Sequence, residues 1–293
     1  MVMPIVQFRA TTVPAGVLVR DIAALLRDHG CEQSSLWAGE VVAHVLGLKR
    51  LELLARPETR VLPHHQKAVR DMACRLVRGE PLQYVIGCCE FMGLRLKVDR
   101  RAFIPRPETE ILVDTALEYL PEETRCTVAD AGTGSGCIAV TLARWRPKLS
   151  VLATDSSSAA LALARENAAL HSVVSRIAFR RADFLSGVQS GSLDVVISNP
   201  PYVPTAEYLE LPRQIRSFEP REALDGGPDG LEPTRRLVQQ AEYAVRSGGL
   251  LLVEIDCRRT AEVTKIMAKY GFRDFFVVKD LAGRDRVLGG RKS

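Results

Sequence analysis

The stretch Asp130-Ala131-Gly132-Thr133-Gly134-Ser135-Gly136 follows a short apolar strand at 127–129 and precedes a helix predicted over 137–146. Three glycines at alternate positions allow the backbone to turn tightly and to approach a ligand closely. The spacing is GxGxG, which differs from the GxGxxG of dinucleotide-binding proteins, and the Lys-Ser/Thr pair of a phosphate-binding loop is missing. The stretch therefore predicts a strand–turn–helix unit around a ligand site, and it disfavours an NTPase.

Strands and helices alternate after this turn, which is typical of a parallel sheet with helices between its strands. A second strand at 149–154 ends at Asp155, whose carboxylate can accept hydrogen bonds from a ribose diol, as an acid does in dinucleotide sites. A third strand at 177–181 is followed by Asp183 and Phe184, which can meet the amino group and the face of an adenine. This ordered set predicts an adenosine-binding site at the carboxyl ends of the strands.

A fourth apolar strand, at 193–198, ends in the loop Asn199-Pro200-Pro201-Tyr202. Two consecutive prolines cannot continue a β-ladder, so the chain leaves the sheet at this point. The carboxamide oxygen of Asn199 and the carbonyl oxygen of Pro200 can both accept hydrogen bonds from a substrate NH2, beside the flat face of Tyr202. Such a loop would orient an amide or an exocyclic amine for attack. Taken alone, a proline-rich turn with an asparagine cap accounts for the same residues equally well.

The composition is that of a globular protein long enough for two domains: 293 residues, 46% apolar and 26% charged. The 40 basic and 35 acidic residues leave a net charge of +5, which is spread along the chain and disfavours a surface that tracks phosphates. The seven cysteines form no CxxC pair and indicate a reducing compartment without a disulfide framework or a zinc site. No apolar run reaches membrane-spanning length, and the N-terminus is not a convincing signal peptide. We therefore expect a cytoplasmic protein without a metal.

The N-terminal part of the sequence is different in kind. Residues 1–81 contain amphipathic segments that end at glycines, and they predict a small helical domain with a structural or substrate-docking role. Residues 82–104 alternate around a turn at Gly93 and predict a β-hairpin connector. Residues 105–293 then form the ligand-binding domain.

Six motifs are shared with one known family. They are Gly79-Glu80-Pro81-Leu82-Gln83-Tyr84, Glu90-Phe91, Ile104-Pro105-Arg106-Pro107-Glu108-Thr109-Glu110, Gly132-Thr133-Gly134-Ser135-Gly136, Asn199-Pro200-Pro201-Tyr202 and Phe218-Glu219-Pro220. On these motifs, nearly the whole chain resembles the HemK/PrmC family of glutamine-N5 methyltransferases that act on peptide chain release factors. The Asn-Pro-Pro-Tyr loop also occurs in DNA adenine and ribosomal RNA guanine methyltransferases, whereas the Pro-Arg-Pro-Glu-Thr-Glu stretch and the helical N-terminal domain are more specific.

The resemblance implies an α/β fold: a Rossmann-like, seven-stranded class I methyltransferase domain with a reversed last strand, preceded by a small helical bundle and a β-hairpin connector. It implies S-adenosylmethionine as the cofactor and the glutamine of the Gly-Gly-Gln motif of bacterial-type release factors as the substrate. We expect a monomer with no stable nucleic-acid partner and no membrane. The expected cofactor-binding residues are Gly132, Thr133, Gly134, Ser135, Gly136, Asp155, Asp183, Phe184 and Asn199. The expected catalytic residues are Asn199, Pro200 and Tyr202, and the expected substrate-binding residues are Asn199, Pro200, Pro201, Tyr202, Phe103, Arg106 and Glu108.

Four positions depart from the family pattern. Ala131 stands where a larger aliphatic residue is usual, and Ser217 stands where arginine is common. The family's Glu-x-Gly-x-x-Gln reads Glu254-Ile255-Asp256-Cys257-Arg258-Arg259, so Asp256 and Arg259 replace the glycine and the glutamine. We expect these four residues to change the shape of local loops and the affinity for substrate.

The long segment 203–231 is rich in proline and glycine, and beside the predicted site we expect it to be a substrate-contacting loop. Two other functions remain open from the sequence. One is a nucleic-acid amine methyltransferase that uses the same Asn-Pro-Pro-Tyr loop. The other is a non-catalytic binding module that keeps the fold, against which the intact loop argues.

Overall fold

The computed structural model describes residues 11–120, 122–123 and 125–293, and residues 1–10 of the predicted N-terminal domain lie outside this part. The chain divides into two compact units, the first ending at Gly87 and the second beginning at Cys88. Within the described residues, no helix is both long enough and apolar enough to cross a membrane.

The first unit is helical, as the sequence predicts. Its elements are β1 (Val13–Pro14), α1 (Ala15–Asp28), α2 (Ser34–Leu46), α3 (Arg50–Ala55), β2 (Arg60–Val61), α4 (Pro63–Val77) and α5 (Leu82–Ile86). The short strands β1 and β2 form one antiparallel pair. Aliphatic side chains from α1, α2 and α4 fill the core of this unit. Pro63 begins α4, where its missing N–H costs nothing, and Gly47 in a left-handed conformation ends α2.

The division after Gly87 lies six residues later than the predicted end of the helical domain at residue 81. The reason is α5, which occupies the first residues of the predicted connector. Val85 of this helix is buried in the core of the first unit. The short run 82–86 shows no helical period of its own, so packing rather than pattern makes it a helix.

The predicted hairpin begins only at Cys88. It consists of β3 (Cys88–Phe91) and β4 (Leu94–Lys97), an antiparallel pair. Met92 and Gly93 both have positive φ, as in the two-residue turns that match the twist of a hairpin. Phe91 and Leu96 are buried in the core of the second unit. The hairpin is therefore part of that unit and not a separate connector.

The second unit is built on a seven-stranded sheet. Its strands are β5 (Thr127–Ala131), β6 (Ser150–Asp155), β7 (Ile177–Arg181), β8 (Leu193–Ser198), β9 (Val245–Glu254), β10 (Phe272–Lys279) and β11 (Asp285–Lys292). Its helices are α6 (Pro107–Tyr119), α7 (Cys137–Trp145), α8 (Ser158–Leu170), α9 (Thr205–Tyr208), α10 (Arg213–Phe218), α11 (Glu232–Ala244) and α12 (Thr260–Lys269). The strand order is β10-β11-β9-β8-β5-β6-β7, and β11 runs in the opposite direction to the other six strands. The α/β sheet with a reversed last strand is therefore confirmed.

Helices cover both faces of this sheet. Val195 and Ile197 of β8 pack in one core with side chains of α6, α7 and α8. Val196, between them, packs in a second core with side chains of α11 and α12. Strands that are buried on both faces carry nearly continuous apolar runs, which explains the sequence of 193–198.

The order of the strands places a crevice at one edge of the sheet. β5 lies between β6 and β8, and the chain runs outward from β5 to β7 before it returns to β8. Open α/β sheets bind ligands at such a reversal, outside the carboxyl ends of the strands. The glycine turn after β5 and the Asn199 loop after β8 therefore lie on either side of the same crevice.

Candidate active site

A cavity of about 360 Å³ opens at this crevice. It brings together most of the residues that the sequence predicts for the site. Those in its wall are Phe103, Gly132, Thr133, Gly134, Ser135, Asp155, Asp183, Phe184, Asn199, Pro200, Pro201 and Tyr202. Gly136, Arg106 and Glu108 lie outside the wall.

The glycine turn is shaped by its backbone. The N–H groups of Gly132 and Thr133 both donate to the carbonyl oxygen of Thr154, at 2.9 and 2.8 Å. Gly132 and Gly134 have φ of +81° and +55°, the left-handed region in which a side chain is strained. The turn therefore presents bare backbone to the cavity.

Gly136 has a different reason to be glycine. Its φ is +81°, and a Cβ at this position would lie 2.9 Å from the Cβ of Ala164 on α8. The residue permits α7 to start close against α8, which keeps it out of the cavity wall. The family resemblance placed Gly136 at the cofactor, and glycine spacing alone cannot tell a glycine that faces a ligand from one that faces a helix.

Asp155 ends β6 and is tied to the turn. Its Oδ2 accepts a hydrogen bond from the Gly134 N–H at 2.9 Å, and its Oδ1 accepts one from the Ser157 N–H at 2.9 Å. Burial raises the pKa of this carboxyl, and the two backbone hydrogen bonds oppose the rise. Each carboxylate oxygen has a further lone pair, so Asp155 can still accept from ribose hydroxyls in the cavity.

Phe184 and Asp183 stand on the other side of the turn. Phe184 is buried, has a φ of +46°, and places its ring 3.6 Å from where a Cβ on Gly132 would be. Arg236 of α11 also lines the cavity, with its guanidinium 5.9 Å from the centroid of the Phe184 ring and 3.6 Å from the Asp183 carboxylate. The sequence analysis missed Arg236, because a single exposed arginine on a helix gives no local signal.

Asp130, the acid that opens the glycine motif, is fully buried. Its Oδ2 accepts hydrogen bonds from the Thr133 hydroxyl at 2.6 Å and from the Ala139 N–H at 3.0 Å. Among the described residues its Oδ1 has no hydrogen-bond partner. Burial raises the pKa of Asp130 to about 7. This carboxyl fixes the turn from beneath, a role that the sequence analysis did not assign to it.

The Asn199 loop is held by side chains from two distant parts of the chain. The carboxamide Nδ2 of Asn199 donates to the hydroxyl of Thr109 at 3.1 Å, and that hydroxyl donates to Oε2 of Glu254 at 2.8 Å. The Tyr202 hydroxyl donates to Oε1 of the same carboxylate at 3.2 Å. Because the amino end of Asn199 donates to Thr109, the carboxamide oxygen is the acceptor that the side chain can offer to a ligand.

Glu254 is buried, and burial raises its pKa to about 7. Burial and the nearby Glu254 carboxylate also raise the pKa of Tyr202. Neither Thr109 nor Glu254 was a predicted site residue. Thr109 lies within the Pro-Arg-Pro-Glu-Thr-Glu motif, and Glu254 ends the strand beside β8, so both positions carried a signal that could have been used.

Arg106 acts outside the cavity wall. Its guanidinium forms an ion pair of 2.5 Å with the buried carboxylate of Glu219 and lies 4.5 Å from the centroid of the Phe103 ring. The other oxygen of Glu219 accepts from the Ile104 N–H at 3.2 Å. The Phe218-Glu219-Pro220 motif thus fastens the segment 203–231 to the stretch before α6. Burial raises the pKa values of Tyr202 and Glu254, and the nearby Glu108 carboxylate raises them further.

The segment 203–231 is ordered around α9 and α10 and returns to the Asn199 loop. Val203 and Asp225 form an isolated β-bridge, and the Gly226 N–H donates to the Val203 carbonyl at 2.7 Å. Pro220 and the residues 222–225 line the cavity. That they contact a substrate remains a prediction.

The departures from the family pattern fall in local structure. Asp256 caps a short 3₁₀ turn. The Arg258 guanidinium forms an ion pair with Asp256 at 2.6 Å and a second one with Glu207 of α9 at 2.7 Å. Arg259 pairs with Glu262 at 3.2 Å. Ala131 is buried, and its carbonyl accepts from the Ser198 hydroxyl at 2.6 Å. Ser217 is exposed on α10, and nothing in the structure explains its difference from arginine.

The cavity fits the S-adenosylmethionine that the resemblance implies. Its volume is within the range of small-molecule sites. It combines a tight turn with glycine at positions 132 and 134, a carboxylate at the end of the second parallel strand and a buried aromatic ring, which suit a linear ligand with a ribose and an adenine. In the described part of the chain, no group of three or more His, Cys, Asp or Glu side chains could hold a metal ion.

Known proteins match both units. Residues 18–87 match the model of the PrmC N-terminal domain, and residues 109–211 match the methyltransferase small domain. The solved structure of a methyltransferase from Pyrococcus furiosus has a similar fold, with a TM-score of 0.53 and 18% sequence identity. The match covers 69% of this chain and 91% of that protein.

Two curated relatives match over nearly their whole length. The release factor glutamine methyltransferase of Nitratidesulfovibrio vulgaris is 42% identical over 279 residues, 94% of either chain. The protein of the same name from Moorella thermoacetica is 42% identical over 274 residues, 93% of this chain and 95% of its own. At this identity and coverage, this chain belongs to the release factor glutamine methyltransferase family.

Proposed function

We propose that this protein transfers a methyl group from S-adenosylmethionine to the side-chain amide nitrogen, N5, of the glutamine in the Gly-Gly-Gln motif of peptide chain release factors. The observation that carries the proposal is the state of Asn199. Its amino group is engaged with Thr109, so its carboxamide oxygen and the Pro200 carbonyl are the acceptors in a cavity beside the glycine turn. The names of the relatives support the same substrate.

The chain's own residues contribute position and electrostatics. S-adenosylmethionine, when bound, supplies a methyl group on a sulfonium, which needs only an in-line nucleophile. The Gly132 turn, Asp155 and Phe184 would hold it at one side of the crevice. Placement then supplies most of the rate, because the two reactants are held at attack distance.

A primary amide is a poor nucleophile, since its lone pair is delocalised into the carbonyl. Acceptors at the Asn199 oxygen and the Pro200 carbonyl would take both N–H groups of the substrate amide. They would favour a pyramidal nitrogen with a localised lone pair and stabilise the positive charge that develops on it. The substrate nitrogen would form its bond to the methyl carbon as the bond from that carbon to sulfur breaks, and it would return to a neutral amide by losing one N–H proton to water. The ring of Tyr202 would flank the amide. No metal and no covalent intermediate on the enzyme is needed.

The proposal also covers how the release factor docks and where and in what state the protein acts. The helical first unit would dock the release factor, and Phe103 would contact the glutamine loop. The protein would act as a cytoplasmic monomer and bind nucleic acid only weakly. The modest net charge of +5 supports this last point.

The test is transfer of a labelled methyl group to purified release factor, with a Gln→Ala variant of its Gly-Gly-Gln motif as the matched substrate control. Label should enter the wild-type factor alone. Equal labelling of the two factors would overturn the proposal. Label that enters DNA or RNA in preference to the factor would support a nucleic-acid amine methyltransferase instead.

A further inference from the structure

We propose that Thr109 and Glu254 are positioning residues for methyl transfer, which set the direction of the Asn199 carboxamide through a chain of two hydrogen bonds. The inference rests on the proposed function, because it concerns the group that would accept from the substrate amide. Neither residue is assigned to act on the substrate itself.

The chain of hydrogen bonds has a defined polarity. The Thr109 hydroxyl has one proton, and it is donated to Oε2 of Glu254. The oxygen of that hydroxyl can therefore only accept from Asn199, and it accepts from Nδ2 at 3.1 Å. The second carboxylate oxygen accepts from the Tyr202 hydroxyl at 3.2 Å, so an ionised Glu254 has a donor on each oxygen.

This polarity decides what Asn199 offers to the cavity. An asparagine carboxamide has a donor end and an acceptor end of nearly equal size, and packing alone distinguishes them poorly. With the NH2 end on Thr109, the oxygen faces the substrate and accepts from its amide. With the carboxamide turned over, the NH2 of Asn199 would meet the NH2 of the substrate, and the substrate amide would lose an acceptor at the moment its nitrogen gains charge.

Protonation of Glu254 would reverse the chain. A neutral carboxyl can donate to the Thr109 oxygen, and the Thr109 proton is then free to point at Asn199 and to favour its oxygen end. Besides burial, which raises the pKa of Glu254, four groups act on it: the Thr109 and Tyr202 hydroxyls and Arg286 lower this pKa, and Glu108 raises it. Arg286 itself is paired with Asp280 at 2.9 Å.

The burial of Thr109 and Glu254 supports a role in the reaction rather than in packing. Thr109 is 3% exposed and Glu254 is 2% exposed. Burying a carboxylate carries a desolvation cost that an apolar side chain at the same place would not, so a buried carboxylate is weak evidence for a role in stability. The burial that raises the pKa of Glu254 to about 7 also makes its charge sensitive to pH near neutrality.

The first experiment compares Thr109→Val with Thr109→Ser, and uses Thr115→Val as a matched control. Thr115 is another buried threonine of α6, and its hydroxyl bonds only within the helix, to the carbonyl of Ile111 at 2.7 Å. Thr109→Val should lower kcat for methylation of the release factor by about tenfold or more, the value of one hydrogen bond that sets a reactive group. Its Kd for S-adenosylmethionine should stay within about threefold of the wild type, and Thr109→Ser should recover most of the kcat. Thr115→Val should keep the wild-type kcat.

The second experiment measures kcat against pH for the wild type and for Glu254→Gln. Wild-type kcat should rise from about pH 6 to about pH 8 as Glu254 ionises, and the neutral carboxamide of the variant should remove this rise. Asp130 also has a pKa of about 7, so the comparison is needed to assign the rise. A rise that persists in Glu254→Gln would belong to a group other than Glu254, such as Asp130, and would overturn the pH argument.

The outcomes separate this inference from the proposed function. A wild-type protein without transfer to the release factor would overturn both. A wild type that transfers, together with a Thr109→Val variant of equal kcat, would overturn the positioning role alone. If Thr109→Val does not fold, the pH profile of Glu254→Gln decides: loss of the rise supports the inference, and an unchanged profile overturns it.

Discussion

The glycine turn and the Asn199 loop occupy equivalent places, at the carboxyl ends of two paired parallel strands, but they are held in different ways. The turn is fixed by groups close in sequence: the N–H groups of Gly132 and Thr133 donate to the Thr154 carbonyl, and the Gly134 N–H donates to the Asp155 carboxylate. The loop is fixed by side chains far away, with Asn199 bonded to Thr109, 90 residues earlier, and Tyr202 bonded to Glu254, 52 residues later. The turn can therefore bind a ligand through close fit to its backbone, whereas the loop presents a hydrogen-bond acceptor in a fixed direction.

This difference separates binding from transfer. A local backbone turn keeps its form as long as the sheet and the helix beside it are intact. A loop whose acceptor is directed by remote hydroxyl and carboxylate groups can lose its function without any loss of fold. Three substitutions test the comparison from its two sides.

The largest effect is expected from Gly136→Ala, which breaks the turn. The left-handed backbone costs about 1–2 kcal/mol for a residue with a side chain, and crowding against Ala164 adds about 1–3 kcal/mol, for a loss of about 2–5 kcal/mol of unfolding free energy. The matched control is Gly191→Ala, whose φ of +62° is similar but whose Cβ would meet nothing within 4 Å. Denaturant unfolding should show the backbone cost alone for Gly191→Ala. Equal losses in the two variants would contradict the packing role of Gly136.

Asn199→Ala comes next and breaks the loop instead. It should lower kcat by about 10²-fold or more, the effect of removing one preorganised polar group, while S-adenosylmethionine still binds at the intact turn. Asn199→Asp should be as poor as alanine, because it loses the NH2 that donates to Thr109 and sets two acceptors face to face. Single-turnover rates and calorimetry measure the two quantities. An aspartate variant clearly faster than the alanine variant would mean that the amino group does not anchor the loop.

The smallest effect is expected from Asp155→Ala, which should lower the affinity for S-adenosylmethionine and leave the hydrogen bonds of the Asn199 loop unchanged. Binding of S-adenosylmethionine should weaken by about 1–3 kcal/mol, or roughly 5–150-fold in Kd, because hydrogen-bonding groups lose their partner. Asp183→Ala should lose less, since that side chain is 48% exposed. Calorimetry on folded protein decides, and an unchanged Kd for Asp155→Ala would remove this residue from the site.

The sequence predicted the features that depend on local pattern. Apolar runs and intervening helices indicated the four parallel strands β5 to β8, and glycine spacing indicated the turn at 132–136, whereas the total of seven strands came from the family resemblance. Asp155 and Asn199 were found because each directly follows a predicted strand, and topology carries strand ends to one edge of the sheet. The reversed last strand came from the family resemblance.

What the sequence could not supply depends on contacts between distant segments. Thr109 and Glu254 meet Asn199 only after three separate parts of the chain have packed, and no periodicity encodes that meeting. The family resemblance assigned Arg106 to the substrate. The structure shows its guanidinium paired with the buried Glu219, a contact that the sequence did not reveal, and the substrate role stays a prediction. The helix α5 was missed because five residues are too few for a helical period to be visible.

The glycine turn and Glu254 lie far apart in the sequence, so they are synthesised at different times. Every residue whose backbone shapes the glycine turn has been added to the chain once Asp155 is in place, but Glu254 is added only at the end of β9. A chain that ends before this strand, through a frameshift or a proteolytic cut, has the residues of the turn and lacks the carboxylate that directs Asn199. Methyl transfer would therefore report that translation of the enzyme itself had proceeded through β9.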